Sequence, residues 1–273
     1  MKDYQSLTVD RRDGIVVIAL NRPQHANSLN MAMAQELADV AAACDGDAAV
    51  RAVVLTGSGR FFCVGGDVGE MAGFGDETAA AVKRLADELH RAISTFSRMA
   101  APLIVAVNGM AAGAGFSLAA TGDLVLVSED ASSTMAYRGV GLSPDGSSSY
   151  FLPRLIGLRR TQELMLTDRR LSAQEAVAWG IATRVVPGPQ LRDAALELAL
   201  DLSRAAPQSN AVIKRLLLQT FGNTLETQME IEGRAIAQCA GSPHGQEGIR
   251  AFVEKRRPDF GGSFRRSSRR KGR

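Results

Sequence analysis

Two stretches of the chain could bind with backbone alone. Val64 to Asp67 reads V-G-G-D and follows the apolar residues Phe61 to Cys63. Ala112 to Gly115 reads A-G-A-G and follows Leu103 to Val107, an apolar run that breaks at Asn108-Gly109. A strand that feeds a glycine-rich turn and then a helix points backbone N–H groups at whatever lies beyond, and the helix N-terminus adds partial positive charge. No charged side chain falls between Ala101 and Leu118. Two such donors converging on one oxygen would make an oxyanion hole, where losing one donor typically costs about 3 kcal/mol of barrier. Glycine at these places lets a ligand approach the main chain. Each turn taken alone is equally what any α/β protein uses to join a strand to a helix.

Other chemistries lack their motifs. The run from Gly113 begins like a dinucleotide loop but has no third glycine, and no G-x-x-x-x-G-K-[ST] is present. Ser117 is not in a G-x-S-x-G elbow. There is no H-x-x-x-H or C-x-x-C for a metal. Three scattered cysteines, Cys44, Cys63 and Cys239, argue against a disulfide framework and fit a reducing compartment. No apolar run reaches the roughly 20 residues of a membrane span, and M-K-D-Y-Q-S-L lacks the apolar core of a signal peptide. The expectation is a cytoplasmic protein with neither membrane nor nucleic acid as partner. Arg265 to Arg273 carries six cationic side chains and no acid, more than the whole net charge of +3, and its composition favours a solvated, disordered end over a site for an acidic partner.

The elements that must carry the two turns read as an alternating α/β pattern. Leu7 to Asp10 and Ile15 to Leu20 form a hairpin around Gly14. Asn30 caps a helix from Met31 to about Cys44. Val53 to Thr56 is a buried strand. A long helix follows, from about Glu77 to Met99, with Leu85, Leu89, Ile93 and Phe96 on its buried face and Pro102 as its stop. After the second turn come a helix from about Gly115 to Ala120, strands at Leu124 to Val127 and Thr134 to Arg138, and short helices at Phe151 to Leu155 and Arg160 to Leu166. S-A-Q-E from Ser172 is a capping box for a helix ending at Gly180, and Ile181 to Val186 is a further strand. From Pro189 to Lys255 the pattern is helical. The chain therefore reads as a mostly parallel α/β core followed by a helical region.

With these elements in place, an ordered set of motifs resembles the enoyl-CoA hydratase/isomerase (crotonase) family. The set comprises L-N-R-P (20–23), A-N-S-L-N (26–30), V-V-L-T-G-S-G-R-F-F-C-V-G-G-D-V (53–68), P-L-I-V-A-V-N-G-M-A-A-G-A-G (102–115), L-T-D-R-R-L-S-A-Q-E-A-V-A-W-G-I (166–181) and F-V-E-K-R-R-P-D-F (252–260). The resemblance implies an α/β core of ββα spiral turns over 1–200, a C-terminal helical trimerisation region over 201–260, and a basic tail over 261–273. It implies homotrimers, often paired into hexamers. The implied substrate is an acyl-CoA thioester, with coenzyme A as part of the substrate, no separate tightly bound cofactor and no metal. The thioester oxygen would sit between the N–H of Gly66 and that of Ala114, where an enolate charge develops. Ala26, Ser28, Val64, Asp67, Val68 and Tyr137 are the further expected substrate contacts. Phe252 and Lys255 match positions near the coenzyme A nucleotide of a neighbouring subunit, and suit an exposed helix face equally.

The chain also departs from this pattern. A hydratase of the family carries two glutamates, and the matching positions here are Ser117 and Tyr137. Neither is a good base near neutral pH, tyrosine titrating at about pH 10. The carboxylate left in this region is Asp145, in G-L-S-P-D-G-S-S, a position where members similar to the phenylacetate-pathway isomerases carry a proton-shuttling aspartate. T-L-E-T-Q-M-E (224–230) is also similar to that subgroup. One acid/base suffices to shift a double bond, whereas hydration also needs a positioned water. The resemblance thus favours an enoyl-CoA isomerase acting through Asp145. The alternatives are a hydratase with a relocated acid/base, a non-catalytic acyl-CoA binder, and an aryl-CoA dehalogenase that pairs Asp145 with His90. Asp145 also suits a turn after Pro144, and His90 suits a surface helix position.

Overall fold

A computed structural model describes residues 3–261; the basic tail, Arg265 to Arg273, lies outside the described residues. The first hairpin forms as its sequence dictates. β1 (Leu7–Arg12) and β2 (Ile15–Leu20) pair antiparallel across Asp13-Gly14, both with positive φ, the two-residue turn whose twist matches the strands. α1 (Met31–Asp45) starts at Asn30, whose side chain accepts from the Met33 N–H.

Three successive units then repeat one plan. β3 (Ala52–Gly57) leads to Cys63, then to α2 (Val68–Ala72) and the long α3 (Thr78–Arg98). β4 (Leu103–Val107) leads to β5 (Ala111–Ala112) and α4 (Ala114–Ala119). β6 (Leu124–Ser128) leads to β7 (Ser132–Thr134) and α5 (Ser148–Thr167). β8 (Leu171–Ser172), α6 (Ala173–Trp179) and β9 (Arg184–Val186) follow. The main sheet has the order β1-β2-β3-β4-β6-β9 and is parallel after the first hairpin. A second, small layer contains β5, β7 and β8, and an isolated parallel bridge joins Cys63 to Ala111. This is the ββα spiral.

Side-chain alternation along the strands explains the layers. Leu103, Val105 and Val107 of β4 join the large core beneath α1, α3 and the second layer. Ile104 and Ala106 point the other way, onto α7 (Leu191–Ser203), with Ala195 and Ala199 facing them. A parallel strand covered on both faces must be apolar throughout, and L-I-V-A-V is. The helical region continues with α8 (Pro207–Gln219), α9 (Leu225–Gly241) and α10 (Pro243–Val253), the last capped by Ser242 with Pro243 at its first position.

Three boundaries differ from the sequence expectation. The strand expected at Thr134 to Arg138 ends at Thr134, because Ala136 takes a positive φ of 53° and swings the chain into a turn at Arg138–Val140. The strand expected from Ile181 starts only at Arg184, since the Ile181 and Ala182 N–H groups close the end of α6 by donating to the Ala176 carbonyl. The two helices expected between Phe151 and Leu166 lie within α5, on either side of Gly157, whose φ of 76° and ψ of 160° break the helical backbone.

A buried cation ties the helical region to the core. Lys214 of α8 donates to the carbonyls of Phe96 and Ala101, each at 3.0 Å, and pairs with Asp123 at 2.6 Å. The same Asp123 oxygen accepts from the Leu103 N–H at 2.7 Å, so one cluster holds the end of α3 and the start of β4. Burial pushes Asp123 up and Lys214 down, and each charge opposes that push on the other. Lys214→Met is expected to destabilise the fold by about 3 kcal/mol, the lower end for a broken ion pair because Asp123 keeps some solvent access. Urea denaturation at neutral pH measures it.

Candidate active site

The second layer builds the site at the carboxyl ends of its parallel segments. The Phe62 and Cys63 N–H groups donate to the Met110 carbonyl, the Ala112 N–H to Cys63, and the Gly113 N–H to Thr134. These bonds align the two glycine turns side by side. A Cβ on Gly65 would stand 3.5 Å from the Ala114 nitrogen and 3.1 Å from the Ala112 carbonyl oxygen, and Gly65 has a φ of 100°. Only glycine allows both the conformation and the approach.

Two N–H groups remain. Leu29 bonds on either side of Gly66, donating to the Gly65 carbonyl and accepting from the Asp67 N–H, so the Gly66 N–H faces away from Leu29. Ala114 is the first residue of α4, where no intrahelical acceptor exists. Neither N–H has a hydrogen-bond partner among the described residues. Both residues line one cavity of about 520 Å³. The two residues expected to supply donors thus share one cavity, and neither N–H is engaged among the described residues.

Most of the remaining lining is aliphatic, with Lys83, Tyr137, Ser143 and Asp145 as its polar members. Val64, Val68 and Met71 line one side, and Ala79, Val82, Leu85 and Leu89 of α3 another, with Val140 and Leu142 contributed from the turn after Tyr137. Sequence reading assigned Leu85 to the core. It is only half-buried and faces this cavity. The helical periodicity that marks a core face marks a cavity wall equally well, and periodicity alone cannot separate the two.

Asp145 is the one carboxylate among the described residues that line the cavity. Its Oδ1 accepts from the Tyr137 hydroxyl at 2.5 Å, and its Oδ2 lies 3.8 Å from His90 Nε2. The Gly146 N–H donates to that same His90 nitrogen at 3.2 Å, so Nε2 is the acceptor of this bond. Tyr137 is buried, and its oxygen also meets Ser117 Oγ at 3.3 Å. Burial, followed by the Asp145 charge, raises Tyr137 well above the usual tyrosine range, so it stays a protonated donor. His90 lines a second, more polar cavity of about 500 Å³ that reaches Asp145 from the other side, with Ser94, Ser97 and Ser149.

The remaining expected contacts divide. Gly66, Val64, Val68, Ala114 and Tyr137 line the cavity. Ala26, Ser28 and Asp67 do not. Asp67 caps α2 through the Glu70 N–H and binds Arg22 at 3.0 Å and Ser28 Oγ at 3.1 Å. Burial works against its charge, but these donors outweigh it and hold the carboxyl below its usual range. Arg22 also donates to the Ser28 carbonyl, so the three residues brace the first turn from behind. Phe252 is 85% exposed and Lys255 is exposed, both away from this cavity in the single chain. Cys63 is no nucleophile, since burial pushes its thiol up to about 12.

The site's geometry agrees with comparisons to known proteins. Residues 10–263 match the family model for enoyl-CoA hydratase/isomerase. A 1,2-epoxyphenylacetyl-CoA isomerase of Escherichia coli (strain K12) is 36% identical over 91% of this chain and 95% of its own. A probable enoyl-CoA hydratase of Rhodobacter capsulatus is 34% identical over 95% and 99%. A 4-chlorobenzoyl coenzyme A dehalogenase of Arthrobacter sp is 30% identical over 91% of each. Among solved structures, an enoyl-CoA hydratase from Polaromonas sp. JS666 superposes with a TM-score of 0.89 at 32% identity, covering 93% of this chain and 98% of the other. Paired glycine turns, two free N–H groups and this match over nearly the whole length lead to one conclusion: the chain belongs to the enoyl-CoA hydratase/isomerase family.

Proposed function

We propose that the protein shifts a double bond in an enoyl-CoA, with Asp145 as the single acid/base. The observation that carries this reading is that Asp145 is the one carboxylate among the described residues that line the cavity; the family resemblance puts Ser117 and Tyr137 at the positions of a hydratase's glutamates. The thioester oxygen is bound by the Gly66 and Ala114 N–H groups. Asp145 takes a proton from C2 of a 3-enoyl-CoA. The electron pair delocalises onto the thioester oxygen and through the C3–C4 double bond. The now protonated Asp145 returns the proton to C4, leaving the double bond at C2–C3. The two backbone donors act on charge that is larger in the transition state than in the bound substrate, so they accelerate the step. Coenzyme A enters as part of the substrate, and the route calls on no further cofactor. The aliphatic wall suits an apolar acyl group.

In this reading the protein works as a trimer, and Phe252 and Lys255 reach the coenzyme A nucleotide of a neighbouring subunit. Exposed apolar side chains along the helical region support an assembly through that face, including Leu217 at 66% exposed, Phe221 at 66% and Leu225 at 68%.

His90 favours a second reading. A carboxylate beside a histidine suits displacement of halide from an aryl-CoA thioester: Asp145 attacks the ring carbon, halide leaves, and water activated by His90 cleaves the resulting ester. The 3.8 Å separation of His90 Nε2 from Asp145 Oδ2 is its support.

One panel of substrates separates these. Wild type and Asp145→Asn are assayed with a 3-enoyl-CoA, a 2-enoyl-CoA and a 4-halobenzoyl-CoA. Isomerisation by wild type and its loss in the variant, by about a thousandfold on the scale of acid–base catalysis, is the expected outcome. Hydration that survives Asp145→Asn would sink the proposal. Halide release that disappears with His90→Ala would replace it with the second reading. Ala114→Pro tests the second oxyanion donor. Proline is tolerated at a first helical position; it removes the N–H and sets a ring carbon on the same nitrogen. The expected loss in kcat is about a hundredfold or more, with melting temperature little changed.

A further inference from the structure

The residues standing where a hydratase would hold its two glutamates, Ser117 and Tyr137, both touch the loop that carries Asp145. Tyr137 gives its one hydroxyl proton to Asp145 Oδ1 at 2.5 Å. A charge-assisted bond of that length fixes the rotation of the carboxylate and occupies one of its oxygens. Oδ2 remains for the reacting proton. Ser117 acts through size. It is buried, its hydroxyl donates back to the Gly113 carbonyl at 3.2 Å, and Gly146 is packed directly upon it. A Cβ on Gly146 would lie 2.8 Å from Ser117 Cβ, and Gly146 has a φ of 62°. Gly146 is thus in close contact with Ser117, with no space for a Cβ of its own between them.

We propose that Ser117 and Tyr137 form a seat that selects Asp145 as the site's only acid/base: Tyr137 is a positioning residue that holds Oδ1 and leaves Oδ2 to move the proton, and Ser117 provides the space in which the Asp145–Gly146 loop sits. A glutamate at position 117 and Asp145 in its present place exclude one another. This seat rests on the acid/base role of Asp145 proposed above.

The test uses the full-length protein and a 3-enoyl-CoA. Tyr137→Phe keeps the ring on the cavity wall and removes the hydroxyl. The expected result is a fall in kcat of about tenfold to a hundredfold, the scale of a misplaced catalytic group. KM and the Kd for a non-reacting saturated acyl-CoA should stay within about twofold, since the acyl wall is intact. Ser117→Ala, which leaves the space open, should keep kcat within about threefold. Ser117→Glu should lose isomerisation by at least tenfold and gain no hydration of a 2-enoyl-CoA. An unchanged kcat in Tyr137→Phe overturns the proposal. So does a loss of acyl-CoA affinity in proportion to the loss of rate, which would make Tyr137 a wall residue only. So does a Ser117→Glu protein that hydrates while still isomerising. The underlying reading is judged separately by Asp145→Asn: if that variant isomerises like wild type, the acid/base assignment itself is wrong. If it is inactive while Tyr137→Phe is fully active, only the seat is wrong.

Discussion

The parallel pairing of Cys63 with Ala111 is the constraint on which the site depends. It joins two segments about fifty residues apart at the same end of the second layer, so that the turns after them emerge together. Backbone donors cannot be re-aimed by rotamer changes. Their direction is set by which neighbouring groups are already bonded. Leu29 bonds on both sides of Gly66, and α4 begins at Ala114, so the N–H groups of Gly66 and Ala114 are left without a hydrogen-bond partner among the described residues. The Arg22–Ser28–Asp67 brace and the Lys214–Asp123 cluster lie outside the cavity. They hold the first turn and the start of β4, the elements from which the donors project.

On this fixed backbone the acid/base proposed above, Asp145, is a loop residue, and that division matters for chemistry. The polarising part of the site belongs to the spiral and serves any reaction that places negative charge on a thioester oxygen. The proton-handling part sits on the connection between β7 and α5. An isomerase, a hydratase and a dehalogenase among the chain's relatives are consistent with that separation of roles. In this chain the connection brings Asp145 to the boundary between an apolar cavity on one side and a polar one containing His90 on the other. The carboxylate can thus meet an acyl chain without being wholly removed from water.

Much of this was legible in the residues. The hairpin, the caps at Asn30, Ser172 and Ser242, the long α3 and the buried strands follow from local rules, because turn chemistry and side-chain period act over a few residues. The errors fell where a neighbour in space overrode the local pattern. Thr134 to Arg138 has the composition of a strand but ends at Thr134, where the chain turns toward the cavity. Spacing is likewise silent on the bonds that Ser28 and Asp67, expected at the substrate, make to each other and to Arg22, since they join residues 22–28 to residue 67.

What the sequence determined by itself was the class of chemistry. Glycine placement and apolar strand ends are local and readable, and the ordered motifs they belong to resemble a family whose chemistry implies backbone donors, with Asp145 as the candidate carboxylate where 117 and 137 lack glutamate. Which groups face that carboxylate was decided only by tertiary structure. Tyr137, Ser117 and His90 come from three different elements, and their meeting at Asp145 depends on how α3, α4 and the chain after β7 pack. Hydrogen bonds between side chains far apart in sequence leave no periodic trace, because each partner satisfies its own local pattern whether or not the other is there.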